Sequence, residues 1–327
     1  MLNYFLRRVL YALPLLLSIN VLTFVLFFIV NPPDDMARMH LGQKHVTPEA
    51  ISKWKHERGY DLPLFYDDKA EGLQAWTHTI FFQKSLGLFV FDFGRSDAGR
   101  EIGLDIRERM GPSLVIAAPS FLIGLGVDLS LALGLILFRG SRLEWSGLGL
   151  CIILMSVSTL FFIIGGQYLF GRCLRWVPIS GYDEGVRALS FVVLPVLIGV
   201  VSGVGSGVRW YRTLFIEEVE KDYVRTARAK GLSEWQVLRR HVLRNALIPI
   251  LTGVVVVLPL LFTGSLLTES FFAIPGLGSY TIDAINQQDF AIVRAMVFLG
   301  SCLYMLGLLL TDLSYLWVDP RVRLGQE

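Results

Sequence analysis

Long hydrophobic runs separated by short charged segments dominate the chain. A helix needs about 20 apolar residues to cross the hydrocarbon core of a bilayer, and six runs come close to that length. They cover approximately residues 9–30, 113–138, 148–170, 188–208, 247–267 and 293–317. The pattern therefore predicts an all-α polytopic membrane protein with six transmembrane helices.

The first hydrophobic run, within residues 1–30, is too long for a secretory signal. It spans 22 residues from Val9 to Val30 and is followed by Asn-Pro-Pro, without a small-residue cleavage site. The apolar part of a secretory signal is only about 7–15 residues long. We therefore interpret residues 1–30 as a retained transmembrane helix.

The distribution of Lys and Arg predicts the orientation. If the N-terminus is cytoplasmic, the short segments on that side carry 15 basic residues, nine of them between Arg209 and Arg244. The two short outer loops then carry only Arg172, Arg175 and Arg187, with Arg294 at the edge of the sixth span. Because basic residues in short loops stay inside, both termini are expected to be cytoplasmic, including a tail at 318–327.

Residues 31–112 form a long segment on the outer side of this topology. Its hydrophobic side chains, among them Trp54 and Tyr60, are typical of a folded region. Thr47 followed by Pro48 is a helix start, with Thr47 as the N-cap. We expect an extracytoplasmic helical subdomain between the first two transmembrane helices, which either covers a pore mouth or serves as a spacer.

Overall composition agrees with a membrane protein and shows no metal motif. Charged residues make up 18% of the chain and hydrophobic residues 53%, whereas soluble domains carry about 25% charge. The three Cys are scattered, and no Cys/His spacing indicates a metal site. The phosphate-binding pattern G-x-x-x-x-G-K-[ST] is absent from the sequence. We therefore expect no cofactor, metal or nucleic acid, and no ATP hydrolysis by this chain itself.

The segment between the fourth and fifth spans, residues 209–246, has the residue pattern of two short helices. Residues 215–230 are amphipathic, and Gly231 suits a left-handed C-cap. Ser233 and Gln236 have the spacing of a capping box that starts a second helix. The apolar faces are predicted to contain Ile216, Val219, Tyr223 and Ala227 in the first helix, and Trp235, Leu238 and Val242 in the second.

Two interpretations of this basic segment remain open from its physical chemistry. Its Lys and Arg could contact anionic lipid, at about 1 kcal/mol for each residue near the surface. Alternatively, the two helices could form a rigid surface that a soluble partner grips. Lipid binding accounts for the charge, but it does not require a capped elbow.

This segment also resembles a known family. The stretch "DYVRTARAKGLSEWQVLRRHVLRNALIP", residues 222–249, is similar to the cytoplasmic loop of ABC importer permeases of the dipeptide/oligopeptide/nickel branch. The general signature is EAA, three residues, Gly, nine residues, then I-x-L-P. Here Arg225-Thr226-Ala227 occupies the EAA position and Gly231 has the required distance, but Arg244 replaces the final Pro. Those departures match the peptide branch.

Three other segments support the resemblance. They are "FDFGRS" at 91–96, "ESFFAIPGLGSYTIDAINQQDF" at 269–290 and "DLSYLWVDPRVRL" at 312–324. They occur in the order in which the family has them, so that the similarity covers nearly the whole chain. A large segment after the first span is similar to the B-type subunit of the branch.

The resemblance implies a transport subunit and its partners. A second, C-type permease subunit would complete a path of twelve spans, two ABC ATPase subunits would bind below it, and an extracytoplasmic solute-binding protein would deliver the solute. The chain would contact membrane lipid and reside in the bacterial inner membrane. Alternating access then requires that ligands bind the two conformations differently.

The resemblance also assigns candidate coupling residues in the cytoplasmic loop. Ala227 and Gly231 are expected to set the fit and the elbow of the coupling helix. The side chains expected to contact the ATPases are Tyr223, Arg225, Arg228 and Lys230.

Polar residues in or next to the spans are candidates for the path or its gate. Asp128 lies near the middle of the second span, where a charge costs at least ~2.5 kcal/mol. It either lines the path or packs, protonated or paired, between helices. Glu269 precedes an outer loop in which Pro275, Gly276 and Gly278 suit a turn, and this loop either gates the path or is simply a connection.

Other functions are less consistent with the sequence. A membrane-embedded enzyme would need catalytic groups at membrane depth, but all five His lie outside the predicted spans. An exporter or channel would need long polar pore-lining faces. For the importer, peptides are the first choice of substrate, and nickel chelates or another small solute are the alternative.

Overall fold

In a computed structural model, the described residues are 2–42, 47–68, 70–183 and 185–318. They are predominantly helical, and no β-strand occurs among them apart from one isolated bridge between Arg95 and Glu101. The all-α prediction is therefore confirmed. The basic residues Arg321 and Arg323 of the predicted tail lie outside the described residues.

The described part of the chain up to residue 137 contains two long helices and several short ones. Helix α1 covers Leu2–Phe24 and continues as a π-helical turn over Val25–Val30. The next elements are α2 at Pro33–Leu41, α3 at Pro48–Arg58, α4 at Gln74–Thr77, a π-helical turn at Phe81–Ser85, a 3-10 turn at Leu86–Val90, and α5 at Ile102–Leu137.

The remaining helices are interrupted several times. They are α6 at Arg142–Ser156, α7 at Thr159–Gly166 with a π-helical extension to Cys173, α8 at Ala188–Val219 after a 3-10 turn at Gly185–Arg187, α9 at Asp222–Ala229, α10 at Glu234–Val237, α11 at Leu243–Val257 after a π-helical turn at Leu238–Val242, α12 at Leu266–Phe272 after a 3-10 turn at Pro259–Thr263, α13 at Leu277–Gln287, and α14 at Phe290–Val318.

Among the described residues, five helical stretches are long and apolar enough to cross a membrane, and a sixth is bent. The five are Leu10–Val30, Ile102–Leu137, Ala188–Val219, Glu234–Phe272 and Phe290–Ser314. The third predicted span instead consists of two helices, Arg142–Ser156 and Thr159–Cys173, which meet at 89°. The third predicted span is therefore bent in the structure, and the pair together supplies a sixth apolar segment.

The chain divides into two compact units, which we describe separately. The first comprises the described parts of Met1–Arg109 and Tyr280–Met305. Its core contains Phe24, Phe28, Met36, Trp54 and Ile80, with aromatic contacts such as Trp54 to Tyr60 at 5.6 Å between ring centroids. Burial of this aromatic cluster explains why the segment after α1 is folded.

The start of α3 has the predicted cap. The Thr47 side chain accepts a hydrogen bond from the backbone N–H of Ala50, and Pro48 is the first helical residue. Such a cap satisfies one of the N–H groups that the first turn of a helix leaves unpaired. A left-handed Gly59 ends the same helix.

The second unit comprises the described parts of Met110–Ser279 and Leu306–Glu327. Its largest cluster joins residues of α5 and α8 to those of α9, α10 and α11. Helix α8 approaches α6 so closely at Gly205 that a Cβ atom there would lie 2.5 Å from the carbonyl oxygen of Cys151. Such a close backbone approach is typical of small residues between packed transmembrane helices.

Candidate coupling surface and buried polar loop

The basic segment folds as two short helices, with one break more than predicted. The predicted amphipathic helix over residues 215–230 is interrupted, because α8 ends at Val219 and α9 begins at Asp222. Lys221 precedes α9 in an extended conformation. We call residues 222–242, from α9 to the end of the π-helical turn, the elbow module.

The elbow itself has the predicted geometry. Gly231 has a φ of +81°, in the left-handed region that side chains disfavour. Its N–H donates to the carbonyl of Arg228 at 2.9 Å. The backbone N–H of Ser233 donates to Oε1 of Gln236 at 3.1 Å, and the reciprocal Ser233 contact completes the capping box. The left-handed Gly231 and the capping box at Ser233, both predicted from the sequence, are therefore confirmed.

An apolar face anchors the elbow module to the rest of its unit. Its buried members are Val224, Ala227, Val237, Leu238 and Val242. They belong to the same cluster as Ala132 and Ile136 of α5 and Phe215 and Val219 of α8. Trp235, in contrast, is 51% exposed, so its prediction as part of the apolar face was wrong. Burial on this scale makes the module a fixed part of the helix bundle.

The opposite face of the module is exposed and cationic. Arg225, Lys230, Arg239 and Arg240 are all exposed. Arg225 lies 3.4 Å from Asp222, and both side chains are largely exposed. Trp235 adds an aromatic side chain to this surface. Together these residues form an exposed surface that suits a partner with acidic side chains, or with both acidic and apolar ones.

Arg228 is also exposed, but it bridges the elbow. Its Nε donates to Oε1 of Glu234 at 2.8 Å, and its Nη2 donates to Oε2 at 3.1 Å. These two bonds connect α9 to the first residue of α10 across Gly231. A bidentate guanidinium–carboxylate pair fixes orientation as well as distance. Glu234 was not identified from the sequence as the partner of Arg228. The two residues lie in different helices, six positions apart across a turn, so helical spacing does not predict their contact.

A charge exchange tests whether this bridge holds the elbow. For a transport subunit, which the resemblance implies, we expect Arg228→Glu alone and Glu234→Arg alone to lower solute uptake, since each places like charges across Gly231. The double variant restores the opposite charges and is expected to recover most of the uptake. Uptake by cells that produce equal amounts of each variant gives the measurement. A double variant as inactive as Arg228→Glu would contradict the bridge and assign Arg228 to a partner.

Tyr223 points towards the chain itself. It is half-buried, and its hydroxyl donates to Oε2 of Glu218 at 2.5 Å. Burial, followed by the hydrogen bond to the Glu218 carboxylate, raises the pKa of Tyr223 to about 12. The phenol is therefore neutral at physiological pH and donates its proton to Glu218.

An ion pair with a buried carboxylate lies in the C-terminal half of α8. Arg212 contacts the Glu144 carboxylate, which also accepts the N–H of Gly140 at 2.7 Å. Glu144 is buried. Sequence patterns did not single out this pair, because its members lie on different helices, far apart in the chain. It ties the loop between α5 and α6 to the helix that leads into the elbow module.

Glu269 is the centre of a buried polar loop. Its Oε1 accepts the N–H of Ser265 at 3.1 Å, and its Oε2 accepts those of Gly278 at 2.7 Å and Ser279 at 3.1 Å. Only 1% of the residue is exposed. The carboxylate thus binds backbone N–H groups on both sides of the turn that contains Pro275. Pro275 itself is exposed.

The glycines of this loop are required by its tight packing. A Cβ atom at Gly276 would collide with the carboxylate of Glu269, and one at Gly278 would collide with the backbone at Ser265. Ser113 of α5 also contacts this loop, because its Oγ accepts a hydrogen bond from the N–H of Leu277 at 2.8 Å. The structure therefore brings Glu269, Gly276 and Gly278 together, as a structural unit.

Asp128 stands apart from these groups. It is half-buried on α5 and packs against α8 at Gly207, where a Cβ atom would collide with its carboxyl. Its Oδ1 is buried without a hydrogen-bond partner among the described residues. The contact with Gly207 supports the packing interpretation, whereas the unsatisfied oxygen leaves an acceptor available.

Two family models match the chain. The model described as "Binding-protein-dependent transport system inner membrane component" matches residues 126–324. The model described as "Binding-prot-dependent transport system membrane comp, N-term" matches residues 1–88. Between them they include α1, the folded segment after it and the elbow module.

Similar proteins cover almost the full length of the chain. A protein of Brucella abortus (strain 2308), whose name describes a peptide transport system permease protein, is 32% identical over 324 residues, which is 97% of this chain and 98% of the relative. The glutathione transport system permease protein GsiC of Salmonella paratyphi A is 29% identical over 327 residues, 99% of each chain.

Proposed function

Because the chain belongs to the family of binding-protein-dependent transport system inner membrane components, we propose that it imports peptides as half of an ATP-driven translocation path. It is a transport permease of the ABC importer class and a component of the inner membrane. Peptides are the proposed solute because several similar permeases are named for peptide transport. Nickel chelates or another small solute remain the alternative.

The exposed, anchored elbow module is the single observation that carries the mechanism. A soluble motor can grip its cationic outer face, while the buried inner face shares a cluster with α5 and α8. A displacement of α9 and α10 is then transmitted to the helices that support them, because packed interiors move as units and do not deform continuously. Lipid binding alone would not use this mechanical connection.

The proposed partners follow from the same arrangement. Two ABC ATPase subunits would hydrolyse ATP, and each would seat one coupling helix. In this chain Arg225 and Lys230 would face the ATPase, and Arg228 would hold the elbow through Glu234 beside that contact. Gly231 and Ala227 would set the elbow, and Tyr223 would brace it through Glu218. A C-type permease would complete the path, and an extracytoplasmic solute-binding protein would deliver the solute. Both termini would be cytoplasmic.

Two places are proposed for the path and its gate. At Asp128, the unpaired Oδ1 would accept a donor from the solute or from the second permease subunit. At the loop around Glu269, all three backbone donors are tied to one carboxylate. Such a loop would move as a unit, so that gating there would displace the Pro275 turn as a whole.

Uptake by intact cells tests the proposed function. We expect deletion of the gene to reduce uptake of a labelled dipeptide to background, and the wild-type gene to restore it. Uptake should stop when ATP is depleted, and ATPase subunits should co-purify with the chain. Nickel accumulation is measured in the same strains as the matched control. Unchanged dipeptide uptake together with lost nickel accumulation would contradict the peptide assignment and favour the alternative.

A further inference from the structure

The first unit contains an open cavity of about 520 Å³. It is lined by the end of α3, by the loop at 93–99 and by the first turn of α14. Asp289 holds this loop in place, because its buried carboxylate accepts the N–H of Asp97 at 2.6 Å and that of Ile292 at 3.3 Å. The charged residues that line the cavity are Glu57, Arg58, Lys84, Arg95, Asp97 and Arg294.

Arg294 is the unusual member of this lining. Only 5% of the residue is exposed, and its Nε and Nη1 have no hydrogen-bond partner among the described residues. No carboxylate among those residues lies within ion-pair distance of its guanidinium, which instead stacks 4.7 Å from the ring centroid of Phe28. Burying a charge without a partner is costly, so such residues in the membrane region are functional by default.

Lys84 is a second cation of this cavity that forms no ion pair with a described residue. It is half-buried, and its Nζ lies 5.9 Å from the ring centroid of Tyr60. Burial, and then the positive charge of Arg294, lower the pKa of Lys84. No ion pair forms between Lys84 and a carboxylate of the described residues. Two cations therefore share a partly dehydrated space.

The other charges of the lining largely compensate one another. Arg58 donates from Nε to Oδ1 of Asp97 at 2.7 Å, and this pair is four-fifths buried. Arg95 is mostly exposed and lies 3.9 Å from Glu101. Glu57 is exposed at the rim and forms no ion pair with another described residue. Lys84 and Arg294 are thus the cations of the lining that form no ion pair with a described residue.

We propose that this cavity binds the carboxylate of a small zwitterionic solute, with Lys84 and Arg294 as the residues that receive it. A guanidinium and an ammonium together suit a carboxylate, and the volume falls within the roughly 300–1,000 Å³ of small-molecule sites. Glu57 at the rim favours a solute that also carries an ammonium, and it repels a dianion such as phosphate. A peptide with free termini has this charge pattern.

The identification of the solute as a peptide rests on the proposed function. On the proposed topology, the cavity belongs to the extracytoplasmic side, at the outer end of α14. A solute released there would be held before it enters the path. Binding at this cavity requires neither ATP nor import, so it can be measured separately from transport.

Calorimetric titration of the full-length chain in lipid nanodiscs tests the proposal. We expect alanyl-alanine to bind, and its C-terminal amide to bind about 10-fold more weakly or worse, because the amide lacks the charge that pairs with the two cations. Lys84→Met should weaken alanyl-alanine by a similar factor, whereas Lys84→Arg should retain most of the affinity. Lys53→Met, at an exposed position outside the cavity, is the matched control and should bind as the wild type does.

Several outcomes would overturn the proposal. Equal affinity for the dipeptide and its amide, or equal affinity of Lys84→Met and Lys53→Met, would show that no carboxylate is bound at this cavity. Displacement of the dipeptide by an equal concentration of inorganic phosphate would assign the cavity to a lipid headgroup or another phosphate. If Lys84→Met does not fold, failure of Lys84→Arg to bind the free dipeptide would count against the site. Each of these results leaves ATP-dependent uptake by the wild type unaffected, so that the permease assignment fails only in the uptake experiment.

Discussion

Gly231→Val is expected to uncouple ATP hydrolysis from solute uptake while the chain remains in the membrane. At a φ of +81°, a non-glycine residue costs roughly 1–2 kcal/mol, and a β-branched residue is among the worst. A Cβ atom at Gly231 would meet no atom of the chain within 4 Å. The variant therefore does not disrupt the core but shifts the elbow to a different backbone conformation.

The expected size of this effect follows from the elbow's equilibrium. A strain of about 1.4 kcal/mol changes the equilibrium constant between the present elbow and a relaxed alternative about 10-fold, so uptake should fall by at most about that factor. ATP hydrolysis by the associated ATPases is expected to continue. Uptake and ATP hydrolysis are measured with the same purified assembly in proteoliposomes, at equal amounts of inserted protein.

Two control variants separate conformation from contact. Gly231→Asn should retain most of the uptake, because Asn tolerates left-handed backbone. Gly72→Val places the same side chain at another left-handed glycine, with a φ of +64° and no atom within 4 Å of its Cβ, outside the elbow module. It should transport normally. Full uptake by Gly231→Val would contradict the role assigned to the elbow.

Local chemistry explains what the sequence could predict. The helix start at Thr47, the elbow at Gly231 and the capping box at Ser233 each depend on contacts between residues at most five positions apart. Such features follow from residue type and spacing alone. The long hydrophobic runs likewise reflect one residue-level property, so most spans could be located from the sequence.

The interruptions of helices depended on information that the sequence pattern does not carry. The break between α8 and α9 at Glu220 and Lys221 contains neither Gly nor Pro, and the same apolar face continues on both sides through Val219 and Tyr223. The 89° bend after Ser156 lies inside the run predicted as the third span, at a point where Ser156, Ser158 and Thr159 carry hydroxyl groups. Tertiary packing, rather than local propensity, decides the break before α9.

Long-range polar pairs were equally inaccessible from one sequence. The ion pair of Glu144 with Arg212 joins two helices, and the contact of Asp97 with Asp289 joins residues nearly two hundred positions apart. Arg294 is recognisable in the sequence only as a basic residue at the edge of a span. That its Nε and Nη1 have no hydrogen-bond partner among the described residues emerges only when the surrounding side chains are placed. Candidate sites built on such pairs therefore need the structure.

Glu269→Gln is expected to destabilise the second unit strongly. Three backbone N–H groups converge on the two carboxylate oxygens of a side chain that is 1% exposed. The amide of Gln retains only one oxygen, and its NH₂ group must face at least one of these donors. An unsatisfied buried N–H costs about 1–3 kcal/mol, and bonds to a charged acceptor are stronger, so we expect a loss of roughly 2–5 kcal/mol in stability.

Thermal unfolding of the detergent-solubilised chain measures this loss, with uptake measured in parallel. Glu217→Gln removes the same charge at an exposed position without an ion pair to another described residue, and it should leave the unfolding temperature unchanged. A lower unfolding temperature for Glu269→Gln supports the structural role derived from its hydrogen bonds. An unchanged unfolding temperature with lost uptake would contradict that role. It would assign Glu269 to direct contact with the solute, because the substitution would then impair transport without weakening the fold.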